Sequence, residues 1–175
     1  SQDSVRVPAQ VEGSGRCERP VQWREKAKMS VSEMHGHYIE DLDVGMSAVF
    51  GKTVSEADIV AFAGVSGDTN PIHLHDGFAR TTRFGERIAH GMLGGSFIST
   101  VIGTKLPGPG SLYVSQTLNF RAPVKIGDTV TARVEIVDID HTRRRVRLRT
   151  ECRCGDVVVI DGEAVVMAPR RPMAA

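Results

Sequence analysis

The stretch HGMLGGSFISTVIGTKL, residues 90–106, decides the fold. Only small or weakly polar residues separate its bulky apolar side chains, which are Met92, Leu93, Phe97, Ile98, Val101 and Ile102. A helix that is apolar on nearly all sides is buried, and this one is shorter than the roughly 20 residues that a membrane span needs. Gly94 and Gly95 would weaken an isolated helix, so we expect them to permit close packing against a neighbouring element.

Four strand-like runs follow this helix: SLYVSQTLNF (111–120), DTVTARVEIVDID (128–140), RRRVRLRTEC (143–152) and VVVIDGEAVVMA (157–168). Apolar and polar residues alternate along the first and third runs, which is typical of strands with one buried face. Short connections predict an antiparallel meander, and Gly162 is expected to mark a bulge. The sheet needs cover on one face, and the apolar helix supplies it. The chain therefore predicts an α+β hot-dog fold, an antiparallel sheet wrapped around one buried central helix.

Upstream of the helix, residues 46–54 predict a first strand and residues 55–67 a short helix. Ser55 is a plausible N-cap with Asp58 three residues on, and Gly67 suits the helix end. A further short helix is predicted within residues 74–84. We divide the chain into a flexible N-terminal tail or extension (1–43), one domain (44–169) and a C-terminal tail (170–175).

Composition excludes several classes of protein. With 175 residues the chain is long enough for one domain, and its net charge of +1 gives no bulk attraction to nucleic acid or to a membrane surface. Three cysteines form no disulfide framework, and no apolar signal segment is visible near the first residue. We expect a cytoplasmic protein, with organellar import left open by the N-terminal extension.

Protonatable side chains are crowded into SGDTNPIHLHDGFARTTRFGERIAHGML, residues 66–93. Pro71 disfavours helical geometry at Asn70, so residues 68–73 are expected to be irregular. A lone Asp68 in such a loop would be a turn residue, and a lone His73 would be an ordinary satisfied histidine. Together on one proline-stiffened loop, a carboxylate and an imidazole can reach the same water molecule.

His90 and Gly91 stand at the start of the predicted buried helix. The first N–H groups of a helix have no acceptor within it and carry partial positive charge, so Gly91 could polarise an acyl carbonyl. The chain has no nucleophile elbow and no phosphate-binding glycine motif. Acid–base groups beside an oxyanion site, without a covalent catalyst, suggest the addition or removal of water next to a carbonyl.

The same stretch resembles the hydratase signature of the MaoC-like (R)-specific enoyl-CoA hydratases. The resemblance rests on the D-x-N-P-x-H spacing of Asp68, Asn70, Pro71 and His73, and it extends over residues 44–169. It implies reversible syn hydration of trans-2-enoyl-CoA to (R)-3-hydroxyacyl-CoA, in fatty acid metabolism or the supply of polyhydroxyalkanoate precursors.

The resemblance also implies a role for each site residue. Asp68 and His73 would activate the water, the Gly91 N–H would bind the thioester oxygen, and Asn70 and His90 would support them. Positions matching Ser99, Ile102 and Val165 would shape the acyl pocket. No metal or organic cofactor is implied, and coenzyme A enters only as part of the acyl-CoA thioester substrate. Unpaired sheet edges further predict a homodimer.

Three other functions remain open at this point. A 3-hydroxyacyl-[acyl-carrier-protein] dehydratase would use the same dyad. A hot-dog acyl-CoA thioesterase would usually carry a carboxylate on the central helix, and residues 92–104 contain neither Asp nor Glu. A catalytically silent acyl-binding module would not need Asp68 and His73 together.

Overall fold

The structure, a computed structural model, describes residues 34–172. Its elements are a 3₁₀ turn (Ile39–Asp41), β1 (Ser47–Thr53), α1 (Glu56–Ser66), α2 (Pro71–Leu74), α3 (Asp76–Arg80), α4 (Gly91–Thr104), β2 (Leu112–Phe120), β3 (Thr129–Asp140), β4 (Arg145–Cys154) and β5 (Val157–Met167). Within those residues, no helix has the length and apolar character needed to pass through a bilayer.

The five strands form one antiparallel sheet in the order β1-β3-β4-β5-β2. Alternate residues of β3 and β4 are buried on one face, and α4 packs against that face. The helix buries Leu93, Gly94, Phe97, Ile98, Val101 and Ile102. The predicted hot-dog fold is confirmed: a sheet curves around one apolar helix.

The two glycines of α4 bring the helix close to the sheet. A Cβ atom on Gly94 would lie 2.6 Å from Cδ1 of Ile160, and one on Gly95 would lie 3.0 Å from Cδ1 of Leu118. The first distance is shorter than carbon atoms tolerate, and the second is at the tight end of real contacts. The predicted close packing is therefore confirmed, and β5 and β2 are the elements approached.

The predicted four-strand meander is wrong for β2. Strands β3, β4 and β5 follow one another as expected, but β2 pairs with β5 at the far edge of the sheet. Residues 121–128 instead cross to β3, fixed by bonds from the Ala89 N–H to the Val124 carbonyl (2.7 Å) and from the Val54 N–H to the Asp128 carbonyl (2.9 Å). These contacts join residues distant in sequence, so local strand spacing could not reveal them.

Gly162 also has a different role from the one predicted. It pairs in register with Leu118 and Thr150, and the register shifts lie elsewhere, between Tyr113 and Ser115, between Ile136 and Asp138, and between Cys152 and Arg153. A Cβ at Gly162 would fall 1.9 Å from the Thr117 carbonyl oxygen. Glycine is required here because the backbone of β2 lies directly over it.

Helix boundaries before the site follow the predicted signals, with one exception. Ser55 accepts from the Asp58 N–H, the Asp58 carboxylate accepts from the Ser55 N–H, and Gly67 ends α1 with φ 76°. The segment predicted to be irregular as far as His73 is helical from Pro71. Proline suits the first position of a helix because its missing N–H would have no intrahelical partner there.

The packed region begins before residue 44. Ile39 and Leu42 are buried in the core, and the Gly36 N–H donates to the Pro109 carbonyl at 2.9 Å. Arg171 pairs with Asp41. Residues 34–43 thus pack with the domain, held by these two buried side chains together with the hydrogen bond and the ion pair. The rest of the predicted tail, residues 1–33, lies outside the described residues.

Candidate active site

Asp68 and His73 lie at the two ends of one short, internally bonded segment. The Asn70 N–H donates to Oδ1 of Asp68 at 3.2 Å. The Asn70 side-chain oxygen accepts from the Ile72 N–H, also at 3.2 Å, and so caps α2. Asn70 therefore holds the carboxylate with its backbone and starts the helical turn that carries His73 with its side chain.

The ring of His73 is buried and held in one orientation. Its Nδ1 lies 2.8 Å from the Ile88 carbonyl oxygen, which can only accept, so Nδ1 carries the proton. Burial, which disfavours the charged ring, lowers the pKa of His73 below its usual 6.5 despite that hydrogen bond. At neutral pH His73 is therefore an uncharged imidazole whose Nε2 has a free lone pair.

His90 connects the Asp68 loop to the start of α4. It is the N-cap residue of that helix, only 3% exposed, and its Nε2 donates to the Asp68 carbonyl at 2.9 Å. Its ring faces that of His73 with centroids 3.9 Å apart, and it also contacts the ring of Phe62 on α1. Among the described residues, its Nδ1 has no hydrogen-bond partner.

The three side chains converge on a common point. One nitrogen of His73, one nitrogen of His90 and a carboxylate oxygen of Asp68 all lie within 4.8 Å of one another. Two atoms that each bond the same water oxygen lie at most about 5.6 Å apart, twice a hydrogen-bond length. The separation of the carboxylate oxygen from a His73 ring nitrogen is within that limit.

A cavity of about 400 Å³ opens beside this cluster. Asp68, His73, His90 and Gly91 all border it, and most of the remaining wall is apolar, formed by Val54, Ile88, Leu93, Phe97, Val124, Val130 and Ile160 among others. A Cβ on Gly91 would lie 2.7 Å from the Phe120 ring. Glycine at the first position of α4 therefore lets the Phe120 ring pack directly against the start of the helix, where both residues border the cavity.

The structure does not bring the predicted acyl-pocket residues to this cavity. Ser99 is exposed, Ile102 is in the core, and neither these two nor Val165 borders the cavity. At about 100° per residue, Ser99 is turned about 140° around α4 from Gly94, which does border it. Ile102 lies about 12 Å farther along the helix than Gly94.

Sequence reasoning missed several residues of the cavity wall. Phe120 is the last residue of β2, Arg121 and Val124 come from the connection after it, and Arg83 and Phe84 come from the loop before α4. The Ile88 carbonyl that fixes His73 was also missed. Arg83, Phe84 and Ile88 lie within residues 66–93, the stretch that is rich in protonatable side chains. Their closeness in sequence to His73 and His90 was the one feature that could have identified them.

Comparison with known proteins agrees with this geometry. A family profile described as "MaoC like domain" matches residues 42–154. A 3-hydroxybutyryl-CoA dehydratase of Methylorubrum extorquens is 52% identical over 139 residues, covering 79% of this chain and 88% of that one. An (R)-specific enoyl-CoA hydratase of Rhodospirillum rubrum is 53% identical over 143 residues, covering 82% and 99%.

A solved structure shows the same fold. The unliganded R-hydratase PhaJ1 of Pseudomonas aeruginosa superposes with a TM-score of 0.74 at 43% identity, covering 80% of this chain and 93% of that one. The matched region includes every residue of the Asp68–His73 segment and the start of α4. Profile, sequence relatives and fold agree with the resemblance seen in the D-x-N-P-x-H spacing, and the chain belongs to the MaoC-like domain family.

Proposed function

We propose that this protein is an (R)-specific enoyl-CoA hydratase that adds water reversibly and syn to trans-2-enoyl-CoA. The observation that carries the proposal is the convergence of the Asp68 carboxylate and the neutral His73 ring beside an apolar cavity that also contains the free N-terminus of α4. The hydratase and dehydratase names of the two relatives at just over 50% identity support the same reaction.

Asp68 and His73 activate the water in this proposal. Nδ1 of His73 is committed to the Ile88 carbonyl, so Nε2 is the atom that faces a water molecule. The water oxygen bonds to the β-carbon of the enoyl group, and the dyad takes one proton from the water. The dyad returns one proton to the α-carbon on the same face, so the elements of water are conserved and the enzyme ends unchanged.

The Gly91 N–H stabilises the negative charge that develops during the addition. As electrons move toward the thioester, its oxygen gains enolate character and needs a donor. The first N–H groups of α4 have no acceptor inside the helix, and Gly91 borders the cavity. No covalent intermediate is required, and the apolar wall beyond Gly91 accommodates the acyl chain.

We also propose that the enzyme is a homodimer formed through β2. This strand is at the edge of the sheet, and Leu112, Tyr113, Val114 and Phe120 on it are 42–60% exposed. An apolar edge strand of nine residues would otherwise invite uncontrolled pairing, and a second copy covers it in a closed arrangement.

The direct test of the hydratase activity is loss of the enoyl absorbance of crotonyl-CoA, with chiral analysis of the 3-hydroxybutyryl product. We expect the (R) product. Because two imidazoles and a carboxylate can also bind divalent ions, the assay is run with and without a chelator. Formation of the (S) product, or release of free thiol in place of hydration, would overturn the proposal.

The dyad is tested by Asp68→Asn, His73→Gln and the double variant. Each single change should lower kcat about 10²–10⁴-fold, the usual worth of acid–base catalysis. The double variant should be little worse than either single one, because the two groups act on one water. Additive losses would show that the residues act at separate steps.

A further inference from the structure

The charges around the cavity are unevenly compensated. Asp68 is the one carboxylate among the described residues that border it, and the two cations there are Arg83 and Arg121. Arg121 is neutralised: its guanidinium binds both carboxylate oxygens of Asp161, at 2.7 and 3.1 Å. Arg121 therefore has little capacity left for an incoming anion.

Two further cations near this region are also paired. Arg87 binds Glu56 and Asp76, and Lys125 binds Glu86 at 2.6 Å. Arg83 differs from all of these, because no carboxylate of residues 34–172 lies within 4.0 Å of its guanidinium. Its donors are thus available to a ligand.

Arg83 is nevertheless held in place. Its guanidinium carbon lies 4.8 Å from the centroid of the Phe84 ring, a cation–π contact that orients the planar group without using its N–H donors. Both residues border the cavity. An oriented guanidinium with free donors has the geometry that binds phosphate oxygens in pairs.

We propose that Arg83, seated on Phe84, binds a phosphate group of the thiol carrier while the acyl end lies against Asp68, His73 and Gly91. This inference rests on the hydratase function proposed above and adds the recognition of the carrier. The phosphate that coenzyme A and an acyl-carrier protein share is that of the phosphopantetheine arm, and coenzyme A has further phosphates on its nucleotide. The subsite recognises phosphate, and the acyl cavity recognises the chain.

The test compares crotonyl thioesters of three carriers in wild type and Arg83→Ala. The carriers are N-acetylcysteamine, which has no phosphate, 4′-phosphopantetheine and coenzyme A. For crotonyl-CoA we expect Arg83→Ala to raise KM and so to lower kcat/KM about three- to tenfold, because a charge-assisted contact to phosphate is lost. The assay is run at low salt, since salt screens an exposed contact of this kind. The preference of the enzyme for coenzyme A over N-acetylcysteamine should shrink by the same factor. Arg83→Lys, which keeps the charge, should recover part of the loss.

Arg80→Ala is the matched control, because Arg80 is also exposed and lies three residues away without bordering the cavity. It should leave the preference between carriers unchanged. A loss with 4′-phosphopantetheine as large as that with coenzyme A identifies the shared phosphate, and a loss with coenzyme A alone identifies the nucleotide.

Equal losses with all three thioesters would overturn the proposal, since Arg83 would then shape the pocket without contacting phosphate. An Arg83→Ala variant with unchanged KM for crotonyl-CoA would also overturn it. Failure of wild type to hydrate any of the three thioesters is a different result, because it contradicts the hydratase function itself.

Discussion

His90 makes two contacts that each fix a different member of the dyad. Its Nε2 holds the carbonyl of Asp68, and its ring lies against that of His73. It also precedes Gly91, so one residue links the proposed water-activating groups to the proposed oxyanion donor. We assign it a positioning role, since it acts through the residues on either side.

Two substitutions separate the contacts of His90. His90→Phe keeps an aromatic ring against His73 and removes the donor to Asp68, and a dyad displaced by about 1 Å can cost about 10²-fold in kcat. His90→Gln places an amide N–H near the position of Nε2 and should stay within about tenfold of wild type. Steady-state kinetics per folded molecule checks this, with KM expected to change little in either variant. Equal kcat in the two variants would show that the hydrogen bond to Asp68 is dispensable.

His73 also governs the expected pH dependence. Burial lowers its pKa from 6.5, so the ring is neutral at pH 7 and takes up a proton only as the pH falls through that lowered value. The acid limb that His73 contributes to kcat/KM should therefore lie below pH 6.5. Proton NMR titration of the His73 ring in the folded protein checks the assignment, and a midpoint at or above 6.5 would contradict it.

Among the elements, helix α4 contributes both to the candidate active site and to the hydrophobic core. Its first turn borders the cavity, and its middle turns fill the sheet through Phe97, Ile98 and Val101. Phe97 belongs to both regions: it borders the cavity and tilts against Phe50, with ring centroids 6.0 Å apart. Ile102, five residues later on the helix, lies in the core alone.

Acyl-chain selection should follow this division of the helix. Phe97→Leu shortens a wall of the cavity, and we expect it to raise kcat/KM for a medium-chain enoyl-CoA relative to crotonyl-CoA about three- to tenfold. Ile102→Val removes a methyl group outside the cavity and should leave the ratio as in wild type. Competition between the two substrates measures this ratio of kcat/KM values. The opposite pattern would place the acyl chain along the Ser99 and Ile102 side of α4, as the family resemblance implies.

For the whole molecule, we expect the edge strand β2 to determine how two copies associate. Strand β2 has a free outer edge and exposed apolar side chains, whereas the outer face of β3 and β4 carries ion pairs such as Arg133–Glu135 and Arg149–Glu135. A charged face resists association and an apolar edge promotes it. The proposed dimer axis therefore passes beside β2.

Val114→Asp tests the dimer against a matched control. Val114 is 47% exposed on β2, and Val157 is 55% exposed at the opposite end of the neighbouring strand β5. A buried, unpaired carboxylate at the interface is unfavourable, so Val114→Asp should shift the protein toward monomer in light scattering, whereas Val157→Asp should stay dimeric. A wild-type protein that is monomeric and fully active would contradict the proposed assembly.

The amino-acid sequence by itself determined the parts of this protein that depend on neighbouring residues. The apolar character of residues 90–106 on nearly all sides predicted α4, the alternation in β4 predicted its buried face, and Ser55 with Asp58 predicted the start of α1. The D-x-N-P-x-H spacing placed Asp68 and His73 together because only five positions separate them along the chain. Each of these signals is local, and local geometry follows from backbone sterics and side-chain pattern.

Tertiary structure alone decided the contacts between residues distant along the chain. Strand β2 pairs with β5 because Gly162 lets its backbone approach, and residues 121–128 then cross to β3. His90 reaches the carbonyl of Asp68 across 22 positions, and Ile88 fixes the tautomer of His73 from 15 positions away. Which arginine keeps free donors depends on which carboxylates the fold brings near it. Long-range pairing is set by the packing of whole elements, so no local pattern contained it.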